Sequence, residues 1–205
     1  MKHILATLTV TAIAALGLLP PTAHAKVSDQ TLKNLNAAYQ GESNAANRYE
    51  KFAAKAEAEG YAQVAKLFRA TSAAEAIHRD THKQAILDLG GNVETFQLEE
   101  VVPAGTAENL KESIKGESYE MTKMYPEFLA VAKADDARAA VRTLGFALAA
   151  EKEHAVLYQA ALEGLGKNPP ADYYVCKVCG MTLTELPAKK CPSCRKSRDE
   201  YTKIS

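Results

Sequence analysis

Apolar positions recur along most of this chain at the three- and four-residue intervals of a helix that buries one face. The first such stretch begins where Ser28 or Asp29 can cap a helix, and carries Leu32, Leu35, Ala38, Tyr39, Ala45, Ala46, Tyr49 and Phe52 before Gly60 ends it. A second helix is predicted from about Tyr61 to Leu89, with Val64, Leu67, Phe68, Ile77 and Ile86, stopped by Gly90-Gly91. Residues 92–105 hold Pro103 and Gly105 and read as a long connection. A third helix is expected from about Thr106 to Ala132, with Pro126 kinking it or starting a new register. Asp135 or Asp136 can cap a fourth, running to about Glu163. Two helical hairpins joined by one long crossover predict a mainly α protein built on a four-helix bundle.

The pattern fails at both ends. Ile4 to Leu19 is an uncharged, mostly apolar run, followed by Pro20-Pro21 and the small-x-small triplet Ala23-His24-Ala25. This order of regions predicts a secretory signal peptide over residues 1–25, cleaved after Ala25. The run is short for a membrane span, so no membrane anchor is expected after cleavage. No Cys stands directly after it and no Arg precedes Arg48, which argues against lipid attachment and twin-arginine export. The expected destination is the periplasm. The bundle is assigned to residues 26–168 and a small C-terminal domain to 169–205, divided at Pro169-Pro170. Formal net charge is zero for the whole chain, so no basic field points to nucleic acid.

The two hairpins repeat each other in their polar residues. Gly41-Glu42-Ser43 matches Gly116-Glu117-Ser118, and Glu75-x-x-His78 matches Glu151-x-x-His154. Glu42 lies 18 residues before Gly60 and Glu75 lies 15 after it. At helical rise these distances are about 27 Å and about 22 Å, so the two carboxylates come nearly level. Glu117 and Glu151 come level in the same way about Asp135. Each Glu-x-x-His pair projects from one helical face. One Glu from each of two helices and one Glu-x-x-His from each of the others is the ligand set of a two-metal carboxylate site. Several anionic oxygens are needed to offset two close divalent cations, and imidazoles complete each coordination sphere. Glu120, three residues past Glu117, can face the same interior or remain a surface acid. Tyr49 and Tyr125 can hydrogen-bond the ligating carboxylates or serve as core aromatics.

All four cysteines fall in the last 35 residues, as Cys176-x-x-Cys179-Gly180 and Cys191-Pro192-x-Cys194. Paired two-residue knuckles suit one tetrahedral metal, zinc or a single iron. Disulfides are the competing reading for an exported protein. Tyr173-Tyr174 suits a short strand over that site.

Taken together, Gly41-Glu-Ser-x-Ala-x-Asn-Arg-Tyr49, the two Glu-x-x-His pairs, Gly116-Glu-x-x-Glu120, Met124-Tyr-Pro126 and the two knuckles resemble the rubrerythrin family over nearly all of residues 28–205. The resemblance implies a ferritin-like bundle fused to a rubredoxin-like domain. It implies Glu42, Glu75, Glu117, Glu120, Glu151 and His154 as ligands of two non-haem irons, with His78 exchanging with Glu120 as the redox state changes. It places Tyr49 and Tyr125 beside those ligands, and one iron on Cys176, Cys179, Cys191 and Cys194. The implied activity is a peroxidase that reduces hydrogen peroxide to water in oxidative-stress defence, fed one electron at a time by a donor protein that the sequence does not name. It also implies a homodimer in which one subunit's knuckle domain can serve the other's bundle. Two departures stand out: a signal peptide where most relatives are cytoplasmic, and Met181 where a Tyr is common. Two rival functions use the same residues: an iron-oxidising or iron-holding protein, and a zinc-knuckle binding module on a structural bundle.

Overall fold

A computed structural model describes residues 27–205; the export segment and cleavage point read from the sequence lie outside them. Helix α1 spans Asp29–Ala58 and α2 Ala62–Asp88. Ser28 caps α1 by accepting from the Thr31 amide. The turns after α1 and α2 need a left-handed residue, and Gly60 and Gly90 supply it at φ 84° and 73°.

The third predicted helix is broken into three. Helix α3 runs Thr106–Tyr119, Glu120–Met124 is a π-helical turn, and α4 runs Tyr125–Ala134. Pro126 sits in the first turn of α4, just after the π-helical turn, and with no amide hydrogen it cannot bond back into it. The irregularity therefore precedes the proline, and it begins at Glu120.

Helix α5 spans Arg138–Glu163, and neither aspartate caps it: Ala137 stands at its N-terminus without a side-chain hydrogen bond. Asp136 takes the left-handed turn at φ 47°. Asp135 instead accepts from the Ser28 amide and hydroxyl and from the Thr31 hydroxyl, so it ties this turn to the start of α1. Those three donors pull its carboxyl below the usual range.

The long crossover has no regular structure but is stitched to α1. Asn36 bonds the backbone of Asn92 and Glu94, and Asn44 and Asn47 bond that of Glu99. Glu59 then caps α3 by accepting from the Thr106 amide and hydroxyl.

Two apolar cores fill the bundle. One gathers Tyr49, Phe52, Leu67, Phe68, Leu110 and Tyr158. The other gathers Leu35, Ile86, Tyr125, Leu129 and Leu144. Between the chain positions that supply them lie the buried Glu and His residues of the repeat.

The last segment forms an antiparallel three-stranded sheet, ordered β2-β1-β3, from Tyr173–Cys176 (β1), Thr182–Leu183 (β2) and Tyr201–Ile204 (β3). It packs on α2 and α5 of its own chain. Tyr173 and Val175 join the first bundle core. Buried Met181 lies with Cys176, Cys179 and Cys191 against Phe146 and Ala149 of α5, so an apolar side chain fills the seam between the domains.

Candidate metal centres

Four buried carboxylates and two buried imidazoles meet in the bundle. Glu42, Glu75, His78 and Glu151 form one group, and Glu75, Glu117, Glu151 and His154 form another; within each, ligand atoms lie within 4.8 Å of one another. Glu75 and Glu151 belong to both, as bridging ligands would. His78 Nδ1 is 2.9 Å from Glu75 and 3.1 Å from Glu151. His154 Nδ1 is 2.8 Å from Glu151 and 3.2 Å from Glu75. The sequence repeat thus becomes an approximate local two-fold.

The residues fit a pair of divalent cations. One oxygen of each of Glu42, Glu75, Glu117 and Glu151 is buried without a hydrogen-bond partner. Buried polar atoms are almost always paired, so four convergent orphans mark a missing positive partner. Four carboxylates also balance two divalent charges, which removes the penalty of burying them alone. Without that partner the charges disturb one another. Burial first, then the charges of Glu75 and Glu151, push Glu42 well above the carboxylate range. Burial and Glu151 do the same to Glu117. Burial works against charged forms of His78 and His154, but the carboxylates around them win and raise both. Burial would raise Glu151 too, yet His154 and His78 overturn it and hold this carboxylate low.

The outer nitrogens identify the metal-facing ones. Thr182 gives its hydroxyl proton to the Gly180 carbonyl, so its oxygen accepts from His154 Nε2 at 3.1 Å. His78 Nε2 lies 3.1 Å from the Cys179 carbonyl, which can only accept. Both Nε2 atoms therefore carry a proton, so Nδ1 is the atom that faces the carboxylates and that would offer its lone pair to a metal. Two knuckle-domain atoms thus set the tautomers of both bundle histidines, an outer layer that metal-bound imidazoles ordinarily require.

The two tyrosines cross between the repeats. Tyr49, in the first hairpin, donates to Glu117 of the second at 2.6 Å. Tyr125, in the second, donates to Glu42 of the first. Burial and the adjoining carboxylates raise both phenols, which keeps them protonated donors.

Glu120 stands in neither group. The residue is half-buried, but its carboxyl is deep enough that burial, then Glu42, Glu151, Glu117 and Glu75, push it up.

His82 has no place in the sequence-derived ligand set, yet it is fully buried. Its Nε2 is 3.1 Å from the Tyr125 hydroxyl and its Nδ1 2.9 Å from the Thr143 hydroxyl. Burial, aided by His78, drops it to about 3, so it is neutral and orients Tyr125. The signal was present: His82 is one turn beyond His78 on the same face.

The four cysteines form the third group. Cys176 and Cys194 sulfurs are 3.7 Å apart and Cys179 and Cys191 sulfurs 3.6 Å, far beyond a disulfide bond. That spacing is the edge of a tetrahedral thiolate cage. The neighbouring Cys179 thiol holds Cys176 down to about 5, so the cage has a thiolate ready for a metal.

A family profile described as Rubrerythrin matches residues 33–162. Nigerythrin of Nitratidesulfovibrio vulgaris is 33% identical over 172 residues, covering 84% of this chain and 85% of the relative. Rubrerythrin-2 of Clostridium acetobutylicum is 32% identical over 175 residues, covering 82% and 92%. Among solved structures, fully reduced, all-ferrous nigerythrin superposes with a TM-score of 0.76 at 32% identity, covering 89% of this chain and 91% of that one. Mycobacterium tuberculosis bacterioferritin BfrA, at 20% identity and a TM-score of 0.63, shares the fold of the bundle.

Proposed function

The chain belongs to the rubrerythrin family of di-iron proteins of oxidative-stress defence, and on that premise we propose that it is a peroxidase that reduces hydrogen peroxide to water outside the cytoplasm. The family pairs a di-iron site with a cysteine-bound iron, and the residues above fit both. Held by the four carboxylates and two Nδ1 atoms, two ferrous ions would supply the two electrons that cleave the O–O bond. The reaction also consumes two protons and yields two waters.

The protein's own residues divide the remaining work. Glu75 and Glu151, common to both ligand groups, would serve both metals. Glu42 and Glu117 would each serve one, and each is held in place by a tyrosine from the opposite hairpin. Glu120, on the π-helical turn, would be the carboxylate that approaches as His78 withdraws. An irregular turn is a common way to give one helical residue that freedom.

The observation that carries this reading is the contact between Cys179 and His78. One hydrogen bond of 3.1 Å joins a ligand of the one-electron site to a ligand of the two-metal site. Iron storage needs no such connection. It lies within one chain, so exchange of knuckle domains in a homodimer, which the family resemblance implies, is not needed to make it.

Anaerobically reduced, iron-loaded protein should consume one peroxide per di-iron site, followed by optical oxidation. Glu120→Ala should slow this by about tenfold or more, the scale for losing a group that acts in the reaction. An unchanged rate would remove Glu120 from the mechanism, and no consumption by the parent would remove the peroxidase reading. Export is tested separately, by mass spectrometry: the mature chain should begin at Lys26.

A further inference from the structure

The cysteine site is not equally covered on all sides. Cys176, Cys179 and Cys191 are buried, whereas Cys194 reaches solvent. The hairpin that presents it runs from Lys189 to Arg198, closed by backbone bonds between Arg198 and Lys189 and between Cys191 and Lys196. It carries Lys189, Lys190, Arg195, Lys196 and Arg198 and no acid at all. All five are exposed.

Elsewhere on this domain the cations have partners. Lys177 pairs with Glu200, and Lys203 and the bundle's Lys66 share Asp172. None of the five hairpin cations forms an ion pair among the described residues. Exposed Arg142 of α5 extends the basic rim: with Lys196, Cys194 and Val178 it lines a cleft of about 430 Å³ between hairpin and bundle. Asp88, the acid in that cleft, accepts from Gln84. The bundle makes the chain neutral overall, so this positive field is local.

We propose that the Lys189–Arg198 hairpin is the docking surface for a small acidic electron-carrier protein, which passes one electron to the cysteine-bound iron through the Cys194 edge. The proposal rests on the peroxidase reading and names the class of its donor. In the step, the carrier loses one electron and ferric iron becomes ferrous, with no bond made or broken. Five unpaired cations around the solvent-facing ligand would steer an acidic partner to that edge and raise its encounter rate by tenfold or more. The hairpin offers no aromatic side chain on which a base could stack and no large apolar side chain to enter a bilayer, which favours a protein partner over nucleic acid or lipid.

The test uses the full iron-loaded protein and two reductants: reduced plant-type [2Fe–2S] ferredoxin, an acidic carrier, and photoreduced 5-deazariboflavin, which is uncharged. Bleaching of the cysteine-iron absorbance is followed by stopped flow. With ferredoxin, the parent rate should fall steeply with added salt. The triple variant Lys189→Glu, Lys190→Glu, Lys196→Glu should be at least tenfold slower at low salt, and the corresponding Gln variant intermediate. With deazariboflavin all three should match, and equal visible spectra would establish that the iron site is intact. A ferredoxin rate indifferent to salt and to charge reversal overturns the proposal. So does that same indifference combined with charge-dependent binding to phosphatidylglycerol vesicles, which would assign the hairpin to a membrane surface. Peroxide consumption driven by deazariboflavin is scored apart: its absence defeats the peroxidase reading and leaves the docking result standing.

Discussion

At the scale of residues, the bundle site is a set of charges arranged for a partner. The residues that cluster could be picked out of the sequence because their spacing repeats, and a repeat of Gly-Glu-Ser and Glu-x-x-His is hard to obtain by surface decoration. What could not be read is what stands behind each ligand. Nothing in a sequence says that Thr182, nearly thirty residues from His154, accepts its Nε2 proton. Thr182→Val would leave that N–H without its acceptor and the Nε2–H tautomer unforced. Iron affinity at the bundle should fall by about 10–100-fold, the usual cost of losing such an outer partner. Iron retention against a chelator would measure it; unchanged retention would mean that the ring is fixed by packing alone.

The same charges set the pH response of the metal-free protein. Glu42 and Glu117 are raised above their ordinary value near 4.5, and His78 and His154 above 6.5. A group whose folded pKa is raised stabilises the fold below its unfolded pKa and stops doing so as pH climbs through the folded one. All four therefore weaken the metal-free bundle as pH rises. His82, depressed to about 3, acts oppositely, but its contribution is already complete above 6.5. Glu151, held low, is likewise complete above 4.5. The metal-free protein should thus lose thermal stability from pH 6.5 to 9, while iron-loaded protein, whose carboxylates have their cations, should not. Calorimetry on both forms decides it. A metal-free Tm that rises over this range would contradict the charge arrangement.

At the scale of elements, the helices were legible because periodicity reports burial directly, and their ends fell close to the predicted turns. Two features were hidden. Pro126 announces an irregular helix, but the π-helical turn starts before it, at Glu120, in a stretch that holds no glycine or proline of its own. Asp135 looks like a cap for the following helix and instead serves α1, because the bundle brings Ser28 and Thr31 to it. The knuckle turn shows how strictly one element limits another. Gly180 holds φ at 73°, and a Cβ there would lie 2.1 Å from His78 Nε2. Gly180→Ala must therefore strain the turn by about 1–2 kcal/mol and drive the knuckle from the histidine. The cysteine-iron spectrum should survive, since the sulfurs are not touched. Electron passage to the bundle, read by stopped flow after rapid reduction of the cysteine iron, should slow by roughly tenfold or more, as displaced redox or reacting groups do. Passage at the parental rate would show that the Cys179–His78 contact is not the route.

At the scale of the whole molecule, the question is why a bundle and a knuckle share one chain. The two ligand sets were separable in the sequence, as were the linker and the change in composition. Their contact was not, because domain docking depends on surfaces such as Met181 against Phe146 that carry no pattern. The docked arrangement gives the knuckle two tasks. It covers and orients the bundle histidines, and under the proposed function it would also supply electrons. Zinc separates them, since zinc keeps the tetrahedral cage but has no redox chemistry. Protein with zinc on the four cysteines and iron in the bundle should hold its bundle iron as tightly as the all-iron form. Once reduced chemically, it should consume its first peroxide at a similar rate. Continued turnover with a one-electron carrier should then fail, because the bundle has no path for recharging. If instead the zinc form turns over like the all-iron form, electrons reach the bundle without the cysteine site, and the knuckle is a structural cover. If the first peroxide is already slow, the cysteine metal acts on the bundle through its histidines, and orientation outweighs electron supply in what this domain does.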